Sequence, residues 1–157
     1  ILFNRMGYFY EKILIKSIIQ AIPSVIIGGI TAVIDLYTNT DFLIIISDCS
    51  FLIVPALLAG FIAKESVNIG FIPALILGSL SQFIHLGLIG GIISGIFIGY
   101  FIELLKKIKV PIEFTSIMYL IFIPIASTLV GSLFIFYIFK IPTLFLIEQA
   151  NLYLNNL

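Results

Sequence analysis

The chain has 157 residues, of which 61% are hydrophobic and 10% charged, with a mean hydropathy of +1.26 and a formal net charge of zero. A soluble domain is about half apolar and about a quarter charged, so this chain has too little polar surface to cover a water-facing fold, and its solvent is expected to be largely lipid. The charge balance gives no basic surface for nucleic acid, and the one cysteine, Cys49, excludes an internal disulfide and a multi-cysteine metal site.

A helix needs about 20 apolar residues to cross a bilayer core. Residues 1–12 read as a cytoplasmic N-terminal segment that ends in Glu11 and Lys12. The apolar run that follows is too long for a cleavable signal, and no small-residue cleavage site closes it. The chain opens on Ile1 rather than Met and reads as a fragment. Five spans are expected, over residues 13–36, 42–63, 71–84, 86–105 and 117–139. The third is short and little polar sequence separates it from the fourth, so the two read either as full crossings or as a re-entrant pair. Residues 140–157 mix Leu144, Leu146, Ile147, Leu152 and Leu154 with Glu148, Gln149, Asn151 and Asn155. That pattern predicts an amphipathic helix lying in the interface. The expected fold class is therefore all-α and polytopic, with residues 13–139 forming the membrane unit.

Orientation follows from the basic residues. Arg5, Lys12, Lys16, Lys64, Lys106, Lys107 and Lys109 fall on one side of this five-span arrangement, and Lys140 alone on the other. The loop between the first two spans carries Asp35 and Asp41 and no basic residue. The rule places the amino terminus in the cytoplasm.

The fourth span begins HLGLIGGIISGIFIGY, with Gly87, Gly91, Gly95 and Gly99 at intervals of four. Each glycine costs a water-exposed helix about 1 kcal/mol against alanine. In lipid the hydrophobic effect does not join helices, whereas small residues do, by letting backbones approach. Four residues make slightly more than one turn, so the four glycines form a groove along one side, widened by Gly90 and Ser94. The groove is expected to receive another helix, from this chain or from a second copy. Gly90 and Gly91 do not follow a strand and so do not form a nucleotide loop.

Two of the remaining polar residues stand out. Asp48 is the acid placed inside a span, where a carboxylate is expensive and often functional, although it lies close enough to the span's start to reach the interface. His85, the one histidine, falls at the turn between the third and fourth spans. The sequence contains no cluster of metal ligands, no nucleophile with a base, and no residue pattern that calls for a cofactor.

Four segments together resemble the membrane-embedded C component, enzyme IIC, of the sugar phosphotransferase system, in its fructose branch. LGLIGGIISGIFIGYFIELLKKIKVP is similar to the family's glycine-rich span GFLGGIIAGFLAGY with its lysine cluster. AIPSVIIGGI at residues 21–30 is similar to MLPFVVAGGI, and VPALLAGFIA at 54–63 to VPVLAGYIA. FIPIASTLVGSLFIFYIFKIPTLFL at 122–146 is similar to the family's PILIIPLLSTLIVGLLMIYVIGPPIAAL. Order and spacing agree across about residues 17–155. One departure is AKESVNIGF after the second span, where the family carries AYSIADRPG. The resemblance covers the amino-terminal half of the family. The other half, with its re-entrant hairpins and sugar-binding carboxylate, has no counterpart here.

The resemblance implies a bacterial plasma-membrane sugar permease whose uptake is coupled to phosphorylation by a B domain. It implies a homodimer in which this half is the scaffold and an absent second half holds the sugar. A sugar carrier needs hydroxyl-binding groups at mid-membrane depth, commonly on broken helices. Gln20 and Ser24 around Pro23, Asp48, and Ser127 and Thr128 after Pro124 are the candidates for the substrate path. Two other readings stay open. One is a membrane scaffold or interaction protein derived from a truncated permease. The other is a permease unrelated to phosphotransfer.

Overall fold

The structure, a computed structural model, describes residues 2–108, 111 and 114–155. Lys109 lies outside the described residues, as do the side chains of the tail on which the amphipathic pattern was read.

Every described element is helical. Helix α1 runs Leu2–Thr38, α2 Asp41–Ser66, α3 Phe71–Phe83, α4 Gly87–Leu105, α5 Thr115–Ile117 and α6 Ile123–Asn155. A 3-10 turn, Asn68–Gly70, leads into α3, and a π-helical turn, Met118–Phe122, joins α5 to α6. Among the described residues four stretches are long and apolar enough to cross a membrane: Glu11–Thr38, Asp41–Ser66, Gly87–Leu105 and Thr115–Ile138. Their outward faces carry a continuous cover of Ile, Leu, Val and Phe, which only a lipid solvent tolerates. The chain is an all-α, multi-pass membrane protein.

The remaining apolar stretch, Asn68–Phe83, is shorter than those four. Its α3 portion has 13 residues, hence a rise of about 20 Å against a hydrocarbon core of roughly 30 Å. The third expected span is therefore the short limb of a tight hairpin with α4.

Contacts fix the directions. Lys16 Nζ lies 2.7 Å from a Glu65 carboxylate oxygen, and Ser24 Oγ donates to the Ser50 carbonyl at 2.8 Å, so α1 runs antiparallel to α2. Ser47 Oγ closes the same seam by donating to the Gly28 carbonyl at 3.1 Å. Gly91, Gly95 and Gly99 of α4 meet Pro55, Ala59 and Ser66 of α2 in that order, so α2 and α4 are parallel. Helix α6 packs on α3 and α4 from the side away from α2, with Phe134 stacked on Phe97 at 4.1 Å between ring centroids. A buried cluster at the centre joins Ala59 and Ala63 of α2 to Ala74 and Leu77 of α3, Ile98 and Ile102 of α4, and Ile123 and Ile135 of α6.

The α2–α4 contact shows what the glycine ladder does. A Cβ on Gly91 would stand 2.5 Å from the Pro55 carbonyl oxygen, and one on Gly95 2.7 Å from the Ala59 oxygen. The groove receives α2 of the same chain, whose facing positions are Pro55, Ala59 and Ala63. Gly90 serves a different neighbour, the Ser81 side chain of α3, and Gly78 of α3 brings that helix against Pro55 and Ala56. Gly87 departs from the expected groove. Nothing lies within 4 Å of its Cβ position and its φ is +53°, so it serves the turn.

That turn is fully capped. His85 sits at φ 62° just after α3, its N–H donating to the Gln82 carbonyl at 3.0 Å, while the Leu86 N–H donates to the Ser81 carbonyl at 2.9 Å. This pair of bonds is the Schellman arrangement, in which glycine is the favoured residue at the left-handed position. Histidine there carries a steric cost that glycine would remove. Replacing His85 with Gly is expected to stabilise the chain by about 0.5–1 kcal/mol, read as a higher melting temperature in detergent. Helix α1 ends in a related way. Asn39, at φ 48°, donates to the Asp35 carbonyl at 2.8 Å, and the Asp35 carboxylate accepts from the Thr40 N–H at 3.1 Å.

The backbone is helical without a break from Ile123 through Asn155. The expected boundary between the fifth span and the tail, at residues 139 and 140, is not a backbone break. A different irregularity precedes it. Proline at 124 lacks an N–H and its ring crowds the carbonyl four residues back, that of Leu120. The π-helical turn over Met118–Phe122 accommodates the ring by widening the helix at that point.

Candidate functional site

Helices α3 and α4 turn back before reaching the level of the first turns of α2. Above their turn, against α2, lies a recess of about 680 Å³. Cys49, Leu52 and Ile53 line it from α2, Ser79, Gln82 and Phe83 from α3, and His85 from the turn. Cys49 stands about 12 Å along α2 from Asp41, so this polar level is set well inside the span.

The local sequence explains the arrangement. On a helix, positions 49, 52 and 53 share one side, and 79, 82 and 83 do the same on α3. The Schellman turn ends α3 directly after Phe83 and holds His85 at the rim. Ser79 Oγ donates to the Leu75 carbonyl at 3.0 Å, which leaves its lone pairs to accept. Gln82 Oε1 is buried and has no hydrogen-bond partner among the described residues. An amide oxygen in that state costs about 1–3 kcal/mol until something donates to it. The terminal amide torsion is soft, so the oxygen is free to reorient toward a donor.

The lining offers a carboxamide, a hydroxyl, an imidazole, a thiol and an aromatic ring, and neither lysine nor arginine. Such a set hydrogen-bonds a small neutral polar molecule and stacks its apolar face. It provides no cation to hold a phosphate. Among the described residues no group of three or more His, Cys, Asp or Glu is placed to hold a metal ion.

The expected path residues are scattered across the bundle. Asp48 is exposed and lies on the face of α2 that carries Leu52 one turn on and Pro55 two turns on, at the recess level. Gln20 is exposed on α1. Ser24 is half-buried at the α1–α2 seam, its hydroxyl committed to the Ser50 carbonyl. Ser127 and Thr128 belong to α6, on the far side of α3 and α4. Both donate to the Pro124 carbonyl, at 3.0 and 2.7 Å. These hydroxyls therefore satisfy helix backbone, and Asp48, the chain neighbour of Cys49, is not in the wall of the recess.

Gln82 and Ser79 escaped the sequence reading. The short string SLSQFIH reads as the polar end of a span, and its place opposite Cys49 depends on how far α3 extends beside α2. The chain matches no protein-family model, no curated protein and no solved structure.

Proposed function

We propose that this chain is the scaffold half of a fructose-type sugar permease of the phosphotransferase system, set in a bacterial plasma membrane with its amino terminus in the cytoplasm. The observation that carries the reading is the ordered resemblance of four segments across residues 17–155 to the membrane component of that system. The recess supports it, because its donors and acceptors suit a neutral polyhydroxylated solute. The lysine distribution supports the orientation. In this reading the scaffold packs as a dimer, a second half moves against it, and a B domain phosphorylates the arriving sugar. Phosphorylation makes the sugar charged, and a charged sugar does not return through an apolar path.

A second reading, a membrane scaffold or interaction protein without transport of its own, is favoured by the hydroxyls of Ser24, Ser127 and Thr128, which are spent on backbone carbonyls. One assay separates the readings. Cells lacking their own fructose permease, but retaining the soluble phosphotransfer proteins, would express the chain within its complete reading frame and be given labelled fructose. Intracellular fructose phosphate is the expected product. Free labelled fructose would replace the proposal with a permease unrelated to phosphotransfer. A correctly inserted protein with no uptake would leave the scaffold reading.

A further inference from the structure

Two grooves open at the membrane face that carries the lysines, one on each side of Tyr119. The first, of about 540 Å³, lies between the end of α2, the start of α3 and the π-helical turn; Lys64, Asn68, Ile72, Tyr119 and Leu120 line it. The second, of about 390 Å³, lies between the end of α4 and α5, with Lys106, Lys107, Thr115 and Tyr119 in its wall. The first has a mostly apolar lining that includes Ile69, Phe71, Ile72, Leu120 and Pro124, of which Ile72 and Leu120 are 66% and 80% exposed. Its polar end is cationic: Lys64 Nζ stands 5.8 Å from the centroid of the Phe71 ring. Among the described residues no carboxylate pairs with Lys64, Lys106 or Lys107. Glu65 is engaged with Lys16, and Glu103 projects from α4 one turn before Lys107.

We propose that this pair of grooves binds one anionic phospholipid, its headgroup placed at Tyr119 between Lys64 on one side and Lys106 and Lys107 on the other, with an acyl chain laid along Ile72 and Leu120. Three features select this occupant. Basic side chains at a helix end attract anionic headgroups. The lining of the first groove is mostly apolar and faces the bilayer, where a soluble partner does not reach. The hydroxyl of Tyr119 supplies a further donor to a phosphate oxygen, whereas Thr115 Oγ1 already donates to the Pro111 carbonyl at 3.1 Å. Free phosphate would satisfy the cations and leave the apolar lining without a role.

The test uses the purified chain in a neutral detergent, with binding read by native mass spectrometry and by melting temperature. The additives are phosphatidylglycerol, phosphatidylcholine with the same acyl chains, and inorganic phosphate. Phosphatidylglycerol is expected to stay bound and raise the melting temperature, and the other two to do neither. Lys64→Gln, Lys106→Gln and Lys107→Gln are each expected to weaken phosphatidylglycerol binding about fivefold. Lys12→Gln, an exposed lysine away from both grooves, is expected to leave binding unchanged. Equal retention of phosphatidylcholine, full binding in the three groove variants, or an equal shift from phosphate alone would each overturn the assignment. All three lysines are exposed, so their variants are expected to keep the wild-type melting temperature in lipid-free detergent.

Discussion

Replacing Gly91 with leucine is expected to break the seam between α2 and α4. The first added atom already stands 2.5 Å from the Pro55 carbonyl oxygen and 3.0 Å from the Pro55 Cα. Both are backbone atoms, so no side chain can turn aside, and α4 must move away from α2 along its length. Overpacking of an ordinary core costs roughly 1–3 kcal/mol. Leucine at a backbone contact is expected to exceed that range and to shorten the lifetime of the folded state in detergent. Gly95→Leu is expected to act in the same way, because its Cβ would meet the Ala59 oxygen at 2.7 Å and the Ile62 Cβ at 2.8 Å. Gly29 supplies the comparison. It lies inside α1 with nothing within 4 Å of its Cβ position, so Gly29→Ala should fall within about 0.5 kcal/mol of wild type or gain stability. Melting curves and protease resistance of the three variants decide the matter. A Gly91→Leu protein that melts with wild type would show that the two helices do not meet at this distance.

Changing Gln82 to leucine is expected to separate function from stability. The amide oxygen has no partner among the described residues, so its removal costs the fold no hydrogen bond through that atom. Leucine is close in volume, suits the apolar surroundings of α3 and forms helix well. The melting temperature should hold or rise. In the permease reading uptake should fall about tenfold, since the recess wall loses its carboxamide and one good hydrogen bond is worth about 1.4 kcal/mol. Gln82→Glu, scored beside it, tests polarity against shape. Unchanged uptake in Gln82→Leu would remove the recess from the substrate path and leave the scaffold reading in front.

The sequence made the helices legible because lipid-facing segments carry a strong signal: long apolar runs, closed by Asp41 at one end and by Lys64 or Lys106 at the other. It also exposed the function of Gly91, Gly95 and Gly99, since a repeat of four on a helix can only make one stripe. The partner of that stripe was hidden, because Pro55, Ala59 and Ala63 look like ordinary small apolar residues until α2 is laid beside α4. Gly87 sits in the same repeat and yet answers to backbone torsion, a difference that spacing alone cannot show. Gly78 and Gly131 belong to no repeat. Gly131 earns its place by meeting Leu77 and Ile98, residues far away in the chain. The recess was the least legible part. Its walls come from two helices and a turn, and the groups that matter, Gln82 and Ser79, gain meaning only from the level at which α3 stops.

That early stop has an electrical consequence. A recess filled by water from the far side carries the potential of that solution inward to the level of Cys49 and His85. The membrane voltage, worth about 2.3 kcal/mol per unit charge per 100 mV, then drops across the remaining thickness beneath Gln82. The field there is steeper than in the surrounding bilayer. A neutral solute resting in the recess is indifferent to it, whereas an ion at the same level would be driven or held back according to its sign. A short α3 thus sets where along the bundle the field would be steepest, at the level of Gln82 and the turn that follows it.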